Sequence, residues 1–207
     1  MPRNPVFQPA PFDEFWKNVS VGHKWQDDWF YARGYIKAAD ALVDVALSKP
    51  VPDQYFYPIC FNYRHACELT LKELIRETER LIGLMAAAGE PKGDPRDVNE
   101  TSAELAKTHS LEELLNWLEQ RLAHLSEERL PTEVREAIIA VHNVDPSGQV
   151  FRYSRARNGE RHEVFQDTTH IDLVWVRERL GKAIEFLQAG VGGWLENELN
   201  VTQDYLS

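Results

Sequence analysis

The chain has 207 residues, 43% of them hydrophobic and 11% aromatic, enough for one domain with a sizeable core, with or without a tail. Its formal net charge of −10 makes the surface as a whole repel phosphate, so any contact with nucleic acid must use a local basic patch. No apolar run approaches the roughly 20 residues of a membrane span, and the start, Met1-Pro2-Arg3-Asn4-Pro5, lacks the apolar stretch of a secretory signal, so the expectation is a cytoplasmic protein with no membrane partner.

Residues 1–24 carry four prolines and read as an extended arm, with Phe12, Phe15 and Trp16 as an aromatic anchor laid on a single helical domain spanning 25–207. A first helix is predicted over 26–48, where Phe30, Ile36, Ala39, Leu42, Val43 and Ala46 recur at helical spacing before Pro50 and Pro52. A long second helix spans 55–88, and the breaker cluster of residues 89–95 stops it. Residues 90–106 read as a polar, mobile loop.

Ser110-Leu111-Glu112-Glu113 is a capping box that opens a third helix, 111–124. Pro131 marks the start of a fourth, 132–143. Asn158-Gly159, flanked by strand-like residues, signals a β-hairpin over 150–165. A fifth helix follows over 171–188, and Gly190, Gly192 and Gly193 are expected to interrupt it before a last piece, 194–199. The predicted architecture is therefore all-α, a bundle of about five helices with one β-hairpin insertion. Cys60 and Cys67, seven residues apart on one helix, lie roughly 10 Å apart at the helical rise, beyond the roughly 7 Å reach of a disulfide. They read as reduced, buried thiols.

The second helix carries the most informative pattern. At about 100° per residue, Tyr57, Cys60, Phe61, Cys67, Leu71 and Ile75 all fall within about 60° of Arg64. Arg64 thus stands at the centre of the apolar stripe. Glu68 lies about 40° away, one turn on and within ion-pair reach, while His65 and Lys72 lie near 80–100°, at the stripe's edge. Burying an unpaired guanidinium costs several kcal/mol, so Arg64 needs partners. Two readings stand: a polar site opening into a cleft, or a buried ion-pair network that fixes how helices meet. His109, Asp145, Arg152 and Tyr153 are further polar positions able to join it. Residues 146–162 hold Arg152, Arg155, Arg157 and Arg161 against the single acid Glu160, a basic patch on an acidic chain and a candidate contact surface.

The run from Tyr57 to Ile75, with Arg64-His65-Ala66-Cys67-Glu68-Leu69-Thr70-Leu71-Lys72 at its centre, resembles an Arg-His-x-x-Glu-Leu-x-x-Lys helix of HEPN-like bacterial proteins. Thr108-His109-Ser110-Leu111 resembles the family's Gly-His-Asp-Leu segment, and Asp145 followed by Phe151-Arg152-Tyr153 resembles its Asp…Phe-Arg-Tyr stretch, in matching order over about 55–155. The resemblance implies a HEPN-type bundle, usually a homodimer, and either a metal-independent ribonuclease of a defence, stress or toxin–antitoxin system or a non-catalytic binding domain. For a nuclease it implies His65 or His109 as general acid or base, Arg64 stabilising phosphoryl charge, Glu68 orienting Arg64 or His65, and Lys72, Asp145, Arg152, Tyr153, Arg155 and Arg157 on the binding side. The family's Arg-x(4–6)-His motif does not fall on the second helix here. That spacing occurs at Arg157…His162 and Arg155…His162, in the hairpin.

No phosphate-binding glycine loop, nucleophile elbow, His-Glu-x-x-His or Cys-x-x-Cys occurs, so neither cofactor nor metal is expected. The functional expectation is a HEPN-like effector or accessory domain with an RNA or protein partner encoded nearby. The alternative is a non-catalytic dimerising module that binds a protein or a small anionic ligand.

Overall fold

The computed structural model describes residues 6–156, 158–160 and 170–206 and contains seven α-helices among them. They are α1 (Asp28–Leu47), α2 (Asp53–Ala87), α3 (Val98–Leu105), α4 (Leu111–Leu122), α5 (Thr132–Val144), α6 (Leu173–Glu185) and α7 (Gly193–Leu206). α2, 35 residues long, is the axle around which the others pack. Buried side chains cover about two-thirds of its circumference, among them Ile59, Tyr63, Cys67, Leu71, Leu74, Ile75 and Leu81.

Polar cross-links give the directions. Asp28–Arg76 (2.6 Å) and Asp40–Tyr63 (2.5 Å) set α1 antiparallel to α2. Glu68–His109 and Glu79–Arg121 set α4 parallel to it, which the long connection between the two helices permits. Arg135 returns to Glu119, and His142 lies 3.5 Å from Glu112, so α5 folds back along α4. Arg177 reaches Asp44 and Gln188 reaches Thr70, bringing the C-terminal rod along α1 and α2. No helix of the described residues is long and apolar enough to cross a membrane.

Three expectations change, and a fourth is only partly covered. Residues 98–105 are helix α3 rather than loop, because Asp97 accepts the N–H groups of Asn99 and Glu100 and so caps it. The glycines do not break the C-terminal rod: residues Phe186–Gly192 wind as a π-helical segment that joins α6 to α7. The hairpin expected over 150–165 lies partly outside the described residues; among those described, Arg152 and Tyr153 donate their N–H groups to the Gln149 carbonyl in a turn, Arg155 stands in an isolated bridge, and the Ala156 N–H donates to the Glu160 carbonyl at 2.8 Å. The tight turn at Asn158-Gly159 is present, with Gly159 at φ +85° and its N–H on Ala156 O, whereas Arg157, Arg161 and His162 lie outside the described residues. Lastly, the arm's aromatics are not laid on the domain. Phe12, Phe15 and Trp16 are 95%, 69% and 80% exposed.

Cys60 and Cys67 are buried free thiols, and burial pushes both up to about 12. Glu77 is the fold's least satisfied acid. Trp29 Nε1 donates to its Oε1 at 2.9 Å, while Oε2 is buried with no hydrogen-bond partner among the described residues. Burial pushes its carboxyl up to about 7, against the opposing Trp29 hydrogen bond. A raised folded-state value means stability that is present below about 4.5 and is lost as pH rises towards 7. Glu77→Gln keeps the acceptor for Trp29 and removes the charge. It should therefore raise the melting temperature at pH 8 and leave it nearly unchanged at pH 5 in paired thermal melts; an equal shift at both values would contradict this account.

Candidate functional site

Five polar residues from three parts of the chain meet where α2 passes the start of α4 and the end of α5. Arg64 and Glu68 share one face of α2, one turn apart, and Lys72 stands a turn further on. Arg64, only 3% exposed, has each guanidinium nitrogen engaged. Nη1 donates to Glu68 Oε2 (2.9 Å), Nη2 to the His109 carbonyl (2.7 Å), and Nε to the Asp145 carbonyl (3.0 Å), with Asp145 Oδ2 at 3.4 Å. Glu68 Oε1 is met by Lys72 Nζ at 2.8 Å and His109 Nδ1 at 2.9 Å.

Burial alone would push the Glu68 carboxyl up. Hydrogen bonds from Lys72 and His109, with the charges of Lys72 and Arg64, outweigh it and hold the group below its usual range. The stability this contributes is present above the ordinary carboxylate range and is lost as pH falls through the depressed value.

Asp145 builds the third side. Fully buried, it accepts the N–H groups of Gln149 (2.7 Å) and Val150 (3.0 Å) on Oδ1 and so folds residues 145–151 into a turn over the guanidinium. Gly148, at φ +72°, lies flat against Arg64: a Cβ there would come within 2.9 Å of Nη1. The glycine of Asp145-x-x-Gly148 is required both by its backbone angle and by this approach.

His109 occupies a different position from the rest. Its side chain is 58% exposed, yet its Nδ1 is fixed by the buried Glu68, and Nε2 has no partner among the described residues. Ser110, the next residue, caps α4 by accepting the Glu113 N–H, which anchors the backbone that carries the imidazole. A carboxylate on one ring nitrogen with the other open to solvent is the arrangement of an oriented general acid or base.

His65 is half-buried and does not bond Glu68. It stacks on Phe61 (5.7 Å, 11°) and meets the Tyr35 ring edge-on at 4.5 Å. Burial pushes its imidazole down, against the charge of Glu68. The Arg152 guanidinium lies 5.9 Å from the Phe61 ring and 5.6 Å from the exposed Tyr153 ring, with Nε donating to the Gly148 carbonyl at 2.6 Å. Arg152 and Tyr153 thus flank the site through the Asp145 turn. Arg155 bonds the Gly159 carbonyl in the turn beyond. Arg157 lies outside the described residues.

Wheel geometry did not single out Glu79, which is fully buried and held by Arg121 (2.7 Å) and Trp117 (3.4 Å). Eleven residues after Glu68, it lies only about 20° from it around the helix, so the same face that meets the start of α4 meets its end. No group of three or more His, Cys, Asp or Glu able to hold a metal ion occurs among the described residues.

No protein-family model, curated protein or solved structure matches the chain.

Gly148→Ala should force the Asp145 turn off the guanidinium. Left-handed backbone on a non-glycine residue and the close contact together should lower unfolding free energy by about 2 kcal/mol in urea titration. A neutral Gly148→Ala would show that the turn is not built on Arg64.

Proposed function

We propose that the chain is a HEPN-like domain, a variant of the five-helix bundle working as a homodimer in a defence, stress or toxin–antitoxin setting, and that the α2–α4 junction is a metal-independent ribonuclease centre. The carrying observation is His109, exposed and oriented by a buried carboxylate. In this reading His109 moves the proton at the 2′-oxygen or the leaving oxygen. Glu68 holds the imidazole in place, and Arg64 and Lys72 keep Glu68 ionised. Because the Arg64 nitrogens are already engaged with protein acceptors, Arg64 is a positioning residue here. The role of meeting phosphoryl charge passes to Arg152, whose exposed guanidinium is braced between Phe61 and Tyr153.

A second reading has its own support. Arg64, Glu68, Lys72 and Asp145 close on one another, and the net charge of −10 disfavours polyanions, as a non-catalytic module that dimerises and binds a protein or small anionic ligand would require.

Incubating the purified protein with total RNA in EDTA separates them. On the catalytic reading the wild type cleaves, His109→Ala stays folded and loses roughly 10²–10⁴-fold in rate with a smaller fall in melting temperature than Arg64→Ala, because Lys72 and Arg64 still hold Glu68, and Arg64→Ala melts about 10 °C lower because it leaves a buried carboxylate without its guanidinium. Absence of cleavage, or equal cleavage by His109→Ala, rejects that reading and leaves the binding module.

A further inference from the structure

The arm is ordered on itself but presents its rings outward. Glu14 donates its N–H to Pro11 and Asn18 to Phe15, the Asn18 side chain accepts from Ala10, and Lys17 pairs with Glu14 at 2.5 Å and lies 5.4 Å over the Trp16 ring. These bonds fold Phe12–Lys17 into a 3₁₀ turn that buries none of its own residues. An arm whose hydrogen bonds are satisfied locally while three large aromatics face water is shaped for a surface that covers them.

A matching surface lies beside α1, on the side that carries Asp40 and faces α6. Between α1 and α6 runs a groove of about 620 Å³, lined on its apolar side by Ile36, Gly181 and Ala189. No atom lies within 4 Å of where a Gly181 Cβ would stand, so the floor is open. Three cations on its rim, Arg33, Lys37 and Lys182, have no salt bridge among the described residues. The groove's Asp40 and Arg177 are engaged with Tyr63 and Asp44, and Glu178 and Glu185 are the remaining acids. Unpaired guanidinium and ammonium groups beside an open apolar floor suit aromatic faces, and Asp13 adds a carboxylate between Phe12 and Phe15.

We propose that the arm is a dimerisation element: residues 11–21 of one copy lie in the α1–α6 groove of a second copy, and the exchange is reciprocal about a two-fold axis. The area supports a second copy as occupant. Phe12, Phe15 and Trp16 present roughly 150–250 Å² each. Two arms together therefore cover about 1,200 Å² of their own surface, and the grooves beneath them take the total into the ~1,200–2,000 Å² of a specific interface. Nothing in this depends on the catalytic reading, since the groove and the α2–α4 junction share no residue.

Light scattering on a size-exclusion column with the full-length chain tests it. Wild type should elute at twice the monomer mass at about 50 µM. Phe12→Ser/Phe15→Ser/Trp16→Ser, outside every buried contact, should elute as a folded monomer with an unchanged helical circular-dichroism spectrum. Arg33→Glu/Lys182→Glu, on the receiving side, should weaken the dimer at least tenfold in sedimentation velocity. A wild-type monomer, including one with the arm folded on its own groove, overturns the proposal. So does a dimer that survives the arm substitutions, or one indifferent to the charge reversal.

Discussion

Glu68 holds one negative charge inside an apolar helix packing, and three donors, two of them on its own helix, converge on it. Arg64 and Lys72 approach from one turn before and one turn after on α2, and His109 comes from the start of α4. Removing any donor leaves a carboxylate in low dielectric with fewer partners, so the three are interdependent. Arg64 then extends the constraint outward, because the nitrogens not used on Glu68 fix the His109 carbonyl and the Asp145 turn. One buried carboxylate thereby sets where α2, α4 and the end of α5 meet.

That convergence also sorts the polar residues by what they can do. Arg64 and Asp145 are buried and fully engaged, so they build geometry. His109 is anchored but open, so it can move protons. Arg152 and Tyr153 are carried to the rim by the same turn that covers Arg64, which couples the buried network to the exposed rings without direct contact between them.

A second acid, Glu79, repeats the device eleven residues on, with Arg121 and Trp117 as partners. Together Glu68 and Glu79 fix both ends of α4 against α2.

Much of this was legible in the chain alone. Helical spacing located α1, the breaker cluster bounded α2, the Ser110 capping box and Pro131 located α4 and α5, and the wheel placed Arg64 at the centre of the stripe with Glu68 in reach, since all of these are local signals. The Asp97 cap of α3 was also there to be read: Asp97 with Glu100 three residues later has the form that identified Ser110 and Glu113, but the surrounding breakers masked it. Other features could not be read. His109 rather than His65 meets Glu68, because the choice rests on which helix crosses α2 at that turn. The glycines near 190 remain helical because a π segment keeps their backbone bonded against α1 and α2, where isolated propensity favours a break. The sequence by itself determined that α2 buries Arg64 and must pair it with Glu68, because periodicity and the cost of an unpaired charge act along one helix. Only the tertiary structure decided which further partners they take and that the arm's aromatics stay exposed, because those depend on distances between segments far apart in the chain.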